Sequence, residues 1–136
     1  MGHIGLTPQH INTIGGFRAQ GRTASEAEKL KTDAIAISDA GAFAIVAEAM
    51  PMETGAAVTK AASASIIGIG AGECCDGQIL VTHDILGLAG SFKPKFVKRY
   101  IDLDAQISAA AEDFSKDVRS RKFPSKIHNY QLKNSE

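Results

Sequence analysis

At 136 residues the chain suits one domain with a core of its own. Its 44% hydrophobic and 22% charged residues are those of an ordinary globular protein, and 15 basic side chains balance 15 acidic ones, so no overall basic field invites nucleic acid. No apolar stretch is long enough to span a bilayer, and the opening MGHIGLTPQH has neither the basic start nor the apolar run of a signal peptide. Cys74 and Cys75 are the only cysteines. Adjacent cysteines strain the peptide between them when they pair, and two thiols without further ligands make a poor metal site. Two reduced thiols in a cytoplasmic protein, without a membrane or nucleic-acid partner, are therefore expected.

The chain opens on GHIGL at 2–6, a strand candidate. Residues 7–22 read as a loop punctuated by Gly15, Gly16 and Gly21. Ser25, with Glu28 three residues on, has the spacing of a capping box. Leu30, Ala34 and Ile37 fall on one face of the helix that follows, and Gly41 is placed to end it. The apolar run at 43–46 reads as a strand closing at Glu48, with Pro51 beyond it. A helix from Met52 to about Ala64 follows; Gly55 weakens it, and its apolar face is mostly alanine.

The segment at 66–84, IIGIGAGECCDGQILVTHD, places two apolar runs, 66–69 and 79–82, around a turn rich in glycine. Runs so short and so rich in Ile and Val read as strands buried on both faces. Their glycines lack the offsets of a dinucleotide fingerprint, and no long helix follows directly. Pro94 suits the first turn of a helix with Phe96, Val97 and Tyr100 on its apolar side. Ile107, Ala111, Phe114 and Val118 continue at helical spacing after an interruption near Asp102 and Asp104. Beyond Phe123 and Pro124 the tail turns polar. The predicted units are thus a half-barrel βα domain over 1–121 and, over 122–136, a C-terminal segment that reads as an arm or as a disordered tail. Alternating strands and helices predict an α/β fold with about four parallel strands and outer helices. Four such units are half of a (β/α)8 TIM barrel, whose full form takes roughly 250 residues.

Glu48 is the foremost candidate for chemistry, because it ends a strand that is otherwise apolar. In a parallel α/β fold that end faces the site, in partly desolvated surroundings suited to a general base. An exposed loop glutamate is an equally good reading of the position. His3 lies between two glycines, which permit close approach of a ligand; a histidine satisfied within the fold is the simpler account. His83 and Asp84 close the predicted last strand, where Asp84 reads as a turn cap. His10 and His128 have no partner in the sequence, and the four histidines lack a metal-ligand spacing. Arg18, Gln20 and Arg22 in the first loop offer an anion site, or a solvated edge.

Several longer strings carry a more specific signal. GHIGLTPQ at 2–9, GGFRAQGR at 15–22, AEAMP at 47–51, IGIGAG at 67–72, CDGQILVTHDILG at 75–87 and PKFVKRYIDL at 94–103 occur in this order, and FP…H follows at Phe123, Pro124 and His128. Together they resemble the ketopantoate hydroxymethyltransferase family over nearly the whole chain. The resemblance implies the C-terminal half of a (β/α)8 barrel of the phosphoenolpyruvate mutase/isocitrate lyase-like superfamily. It also implies transfer of a hydroxymethyl group from 5,10-methylenetetrahydrofolate to 3-methyl-2-oxobutanoate, giving 2-dehydropantoate in pantothenate biosynthesis, with magnesium chelating the keto acid.

On this resemblance Glu48 is the base that removes the proton from C3 of the keto acid, and His3 hydrogen-bonds the bound substrate. The match starts near the family's fifth strand. The aspartates that hold the metal, and the lysine and serine that hold the substrate, belong to the half that is missing, so no metal ligand is expected in this chain. Ala49 stands in place of a common cysteine, Thr54 and Gly55 in place of helix formers, and Ser65 in place of a common proline, which reads as relaxed constraint. A half barrel exposes two sheet edges and the inner faces of its strands. Its partners are then a small-molecule keto acid and either a complementing N-terminal half or a second copy. The alternative is a non-catalytic remnant or oligomerising fragment of the enzyme.

Overall fold

A computed structural model describes residues 1–90 and 93–132. Four parallel strands form one open sheet in the order β1 (Gly2–Gly5), β2 (Ala44–Glu48), β3 (Ser65–Ile69) and β4 (Gly77–Gln78). A short helix, α1 (Ile11–Ile14), follows β1. The crossovers are carried by α2 (Ala24–Asp39) between β1 and β2 and by α3 (Met52–Ala61) between β2 and β3. Beyond the sheet lie α4 (Thr82–Leu86) and α5 (Leu103–Arg119).

The strand registers sort the sheet residues onto two faces. Gly2, Ile4, Ile45, Ala47, Ile66 and Gly68 point one way, and His3, Gly5, Val46, Glu48, Ile67 and Ile69 point the other. The first face takes α2 and α3. Ile45 and Ile66 are completely covered there, in a core shared with Ala34, Val58 and Met50. The second face is only half-buried at His3, Val46, Glu48 and Ile67, and is covered at Ala44 and Ile69 near the strand ends. The expectation of strands buried on both faces is therefore corrected: all the helices that cross over lie on one side.

Local chemistry explains the elements. Residues 23–28 contain two copies of the capping spacing, and the helix uses Thr23 with Glu26 rather than Ser25 with Glu28. Thr23 Oγ1 accepts from the Glu26 amide at 3.2 Å, and Glu26 Oε2 accepts from the Thr23 amide at 3.2 Å. Thr23 is extended, at φ −109 and ψ 158, whereas Ser25 already lies in the first turn. The alanine-rich face of α3 permits a close approach. A Cβ on Gly55 would collide with the backbone carbonyl oxygen of Ala71, and the Thr54 hydroxyl donates to the Gly21 carbonyl at 2.8 Å. Both residues thus have packing reasons, which corrects the reading of relaxed constraint at 54–55.

Other expectations are also corrected. The loop at 7–22 contains a 3-10 turn, Pro8–His10, and α1. Phe43 is exposed and stands outside β2. The run at 79–82 is not a strand. Pairing stops after Gly77–Gln78, apart from the Ile79 amide donating to the Gly68 carbonyl, and the Val81 carbonyl then accepts from both Asp84 and Ile85 to start α4. Asp84 sits inside that helix instead of capping a turn. No helix starts at Pro94 either; 94–97 is a turn closed by the Val97 amide donating to the Pro94 carbonyl at 3.0 Å. Its apolar residues diverge: Val97 is buried, Phe96 packs against Gly70, and Tyr100 is exposed.

Asp102 interrupts nothing. It caps α5, accepting from the Ala105 amide at 3.2 Å. The Ile107, Phe114 and Val118 stripe exists as expected, but α5 buries none of its residues. In the tail, Phe123 packs against the rings of Phe114 and His128. Residues 133–136 of the expected arm lie outside the described residues.

Candidate active site

Glu48 and His3 meet at the carboxyl end of the sheet. Glu48 pairs with Gly5 in register and His3 with Val46, so the two side chains lie diagonally across adjacent strands on the half-buried face. His3 Nε2 stands 3.0 Å from Glu48 Oε2. Side-chain exposures of 30% and 17% leave both within reach of a ligand while removing most of their water. With Nε2 protonated, His3 donates to the carboxylate and leaves Oε1 of Glu48 free to accept a proton. The position of Glu48 alone marks it in the sequence, and the resemblance adds His3 as a contact of the same substrate; the direct contact between the two side chains, 45 residues apart, comes from the fold.

The backbone around the pair is tied down. The Leu6 amide donates to the Glu48 carbonyl, the Ala49 amide to Ile69, the Met50 amide to Gly70, and the Gln20 amide to the Ala49 carbonyl. Ala49 itself takes φ +49, a left-handed conformation that costs a non-glycine residue about 1–2 kcal/mol. Four hydrogen bonds converging on residues 48–50 hold that turn in place.

A cavity of about 630 Å³ opens at this turn, with Glu48, Leu6, Met50, Phe17, Arg18, Arg22, Lys95 and Phe96 among the residues that line it. Gly70 makes room for Phe96: at φ +68, a Cβ there would stand 2.6 Å from the ring. Arg18 and Arg22 were visible as loop cations. Lys95, Phe17 and Phe96 were not marked as site residues, because the helical spacing at 96–100 assigned Phe96 to the apolar side of a helix that does not form, and nothing in the first loop set Phe17 apart.

The remaining candidates stand apart. His83 is exposed on α4; His10 hydrogen-bonds Thr7; His128 Nδ1 accepts from the Ser125 amide at 3.1 Å. Cys74 is exposed and Cys75 half-buried, and burial pushes the Cys75 thiol up, helped by the nearby Asp76. Among the described residues, no three His, Cys, Asp or Glu side chains gather where they could hold a metal ion, and no helix is long and apolar enough to cross a membrane.

Comparison with known proteins places residues 1–126 in a family model described as ketopantoate hydroxymethyltransferase. The chain is 50% identical over 128 residues to 3-methyl-2-oxobutanoate hydroxymethyltransferase of Paracoccus denitrificans, covering 94% of the chain and 46% of that protein. It is 51% identical over 130 residues to the protein of the same name from Pelobacter propionicus, covering 96% of the chain and 48% of that protein. A third relative of that name, from Rhodospirillum rubrum, is 50% identical over 133 residues, 98% of the chain and 48% of its own length. The chain thus spans about half the length of the curated relatives it matches.

Proposed function

Since the chain belongs to the ketopantoate hydroxymethyltransferase family, we propose that it supplies half of an enzyme that transfers a hydroxymethyl group from 5,10-methylenetetrahydrofolate to 3-methyl-2-oxobutanoate, giving 2-dehydropantoate for pantothenate synthesis. The observation that carries this reading is the Glu48 carboxylate, held 3.0 Å from His3 at the strand ends and opening into the cavity. The open parallel sheet, with its helices on one side, suits the C-terminal half of a (β/α)8 barrel of the phosphoenolpyruvate mutase and isocitrate lyase superfamily. Residues 1–121 form this half-barrel, and 122–136 the arm. The half-covered face of the sheet is then the interior of the closed barrel, completed by an N-terminal half, in the cytoplasm.

In this enzyme Glu48 is the general base. Its free oxygen takes the proton from C3 of the keto acid, and His3 steadies the carboxylate and hydrogen-bonds the bound substrate. Water would cleave the two carbon–nitrogen bonds that hold the methylene group, its two hydrogens going to the nitrogens of tetrahydrofolate and its oxygen staying on the carbon at the level of formaldehyde. C3 then bonds to that carbon, and the proton held by Glu48 passes to the resulting alkoxide to give the new hydroxyl. The described residues do not fit a magnesium site, since Glu48 and His3 gather no third donor; magnesium ligands belong to the other half of the barrel on this reading.

The test pairs the chain with the N-terminal half of the Paracoccus denitrificans relative. Turnover of keto acid and methylenetetrahydrofolate by the pair is expected, with none by the chain alone. Glu48→Gln is expected to lower the pair's turnover by about 10²–10⁴-fold while leaving substrate binding largely intact. A near-full rate in that variant would remove the base assignment. The half-buried face and unpaired β1 edge favour one rival reading, a non-catalytic fragment that closes on a second copy. Solution mass decides between the two: a self-associated oligomer that refuses the N-terminal half supports the rival.

A further inference from the structure

Glu48 ends β2, and the next residue leaves the strand in an unusual way. Ala49 takes φ +49; among the described residues, it and Arg121 are the only non-glycine residues with positive φ. One rung beyond the Glu48–Ile69 pair, β3 makes the same left-handed turn at Gly70, φ +68, where no Cβ opposes it. β2 makes it with alanine, so no glycine, asparagine or aspartate marks the position in the sequence. Backbone conformations of this kind persist only where their surroundings over-determine them, and they gather at functional sites.

The turn changes which face of the sheet the chain addresses. Along β2 the side chains alternate, with Ile45 and Ala47 toward the helices and Val46 and Glu48 toward the open face. Unbroken alternation would put Met50 beside Glu48 on the open face. Met50 is instead 4% exposed and joins the core of Ile45, Ala47 and Val58, while also lining the cavity. Glu48 and Met50, two residues apart, thus part company across the left-handed residue between them. Hydrogen bonds fix the turn on both flanks. The Ala49 amide donates to the Ile69 carbonyl at 2.9 Å, the Met50 amide to the Gly70 carbonyl at 3.1 Å, and the Gln20 amide to the Ala49 carbonyl at 2.9 Å. Gly5 leaves room beside it: a Cβ there would collide with the Glu48 carbonyl oxygen and stand 3.0 Å from Met50 Cε. Each of these contacts lies within this chain, and Ala49 is only 8% exposed, so the turn is set without a complementing half.

We propose that Ala49 is a positioning residue, whose left-handed turn lets Met50 anchor in the core while the Glu48 carboxylate stays on the open face against His3. The role of Glu48 rests on the reaction proposed above; the turn that aims it rests on the geometry of this chain. What matters at position 49 is then the ability to hold a positive φ. Glycine and asparagine hold it readily, and the β-branched valine opposes it.

The test compares Ala49→Gly, Ala49→Asn and Ala49→Val with Val58→Ala, a core variant in the body of α3 that leaves residue 49 unchanged. In the full chain alone, the ring nitrogen shifts of His3 are read by NMR through its carbon-bound ring protons, at about pH 8, where an ordinary imidazole is neutral. The parent and the glycine and asparagine variants are expected to show one Nε2-protonated ring held by the carboxylate. Val58→Ala is expected to show the same ring despite a lowered melting temperature. Ala49→Val is expected to give the averaged shifts of a free imidazole. In the pair formed with the N-terminal half of the Paracoccus denitrificans relative, Ala49→Val is expected to lower kcat by about 10²-fold with KM nearly unchanged, as misplacement of a reacting group does, and Ala49→Gly to keep most of the rate. A His3 signature that survives Ala49→Val, or one lost as fully in Val58→Ala, overturns the assignment. Should Ala49→Val fail to fold, the glycine and asparagine variants decide: a signature lost in either overturns it, and one kept in both while Val58→Ala also keeps it supports it. The spectroscopic result needs no turnover. The expected pattern in a pair that does not turn over supports the turn and counts against the reaction, whereas turnover indifferent to residue 49 counts against the turn alone.

Discussion

Ile66 and Ile67 are the same residue on the same strand, one peptide apart, yet Ile66 is fully covered by the helical layer and Ile67 is half-buried on the other side of the sheet. The same division runs through β2, where Ile45 and Ala47 disappear under α2 and α3 while Val46 and Glu48 stay accessible. The covered face holds the described fold together, and the open one carries His3, Glu48 and the approach to the cavity. A sheet with both faces sealed by its own helices would bury that carboxylate out of reach. One with neither face sealed would have no core to hold it in place.

Because the two faces differ in this way, substitutions on them are expected to fail differently. The largest effect is expected on the open face, where Glu48→Gln removes turnover of the paired halves by the factor given above and leaves the thermal melt unchanged. A melt shifted as far as that of a core variant would show that Glu48 belongs to the fold rather than to the chemistry. Next comes the isoleucine pair. Ile66→Ala leaves a cavity under α2 and α3 and is expected to cost about 2–5 kcal/mol in denaturant unfolding. Ile67→Ala is expected to cost about 1 kcal/mol in the chain alone, because less apolar area returns to water, and markedly more once an N-terminal half covers it. Equal costs in the isolated chain would erase the distinction between the faces.

Gly55→Ala probes the covered side from the helix. The added methyl meets the Ala71 carbonyl, so α3 has to shift off the sheet, and a loss of about 1–3 kcal/mol is expected by thermal or denaturant unfolding. A neutral or stabilising result, as helix propensity alone predicts, would mean that this contact is loose. The smallest effect concerns the thiols. Burial holds Cys75 above the ordinary thiol range, so at about pH 8 it carries less thiolate than an ordinary thiol. Iodoacetamide is expected to label exposed Cys74 first, with Cys75 catching up as pH rises and its thiol ionises, as peptide mass mapping would show. Faster labelling of Cys75 would mean that the segment between β3 and β4 opens readily.

How far the fold could be read in advance varied with the range of the signal. The strands at 2–5, 44–48 and 65–69 and the helices after 24 and 52 follow from apolar runs and breakers within a few residues of each element. The capping spacing was present, but in two overlapping copies, and only the extended backbone of Thr23 chose between them. The run at 79–82 has strand composition and forms the start of α4, because only Gly77 and Gln78 find ladder partners on β3. Phe96, Val97 and Tyr100 have helical spacing and no helix: each is drawn to a different place, and local propensity is too weak to resist.

The candidate site divides along the same line. Glu48 stands at a strand end that sequence alone marks, and the strings from GHIGLTPQ to PKFVKRYIDL were enough to point to the family that the comparisons show. The partner of Glu48, the gathering of Arg18 and Lys95 around one cavity, and the choice of which sheet face stays open came only from tertiary structure. Caps, turns and apolar periods are settled among residues a few positions apart, where chain connectivity has already brought them together. The register of parallel strands is settled across crossovers of tens of residues, by how α2 and α3 pack, and it is that register which sets His3 beside Glu48.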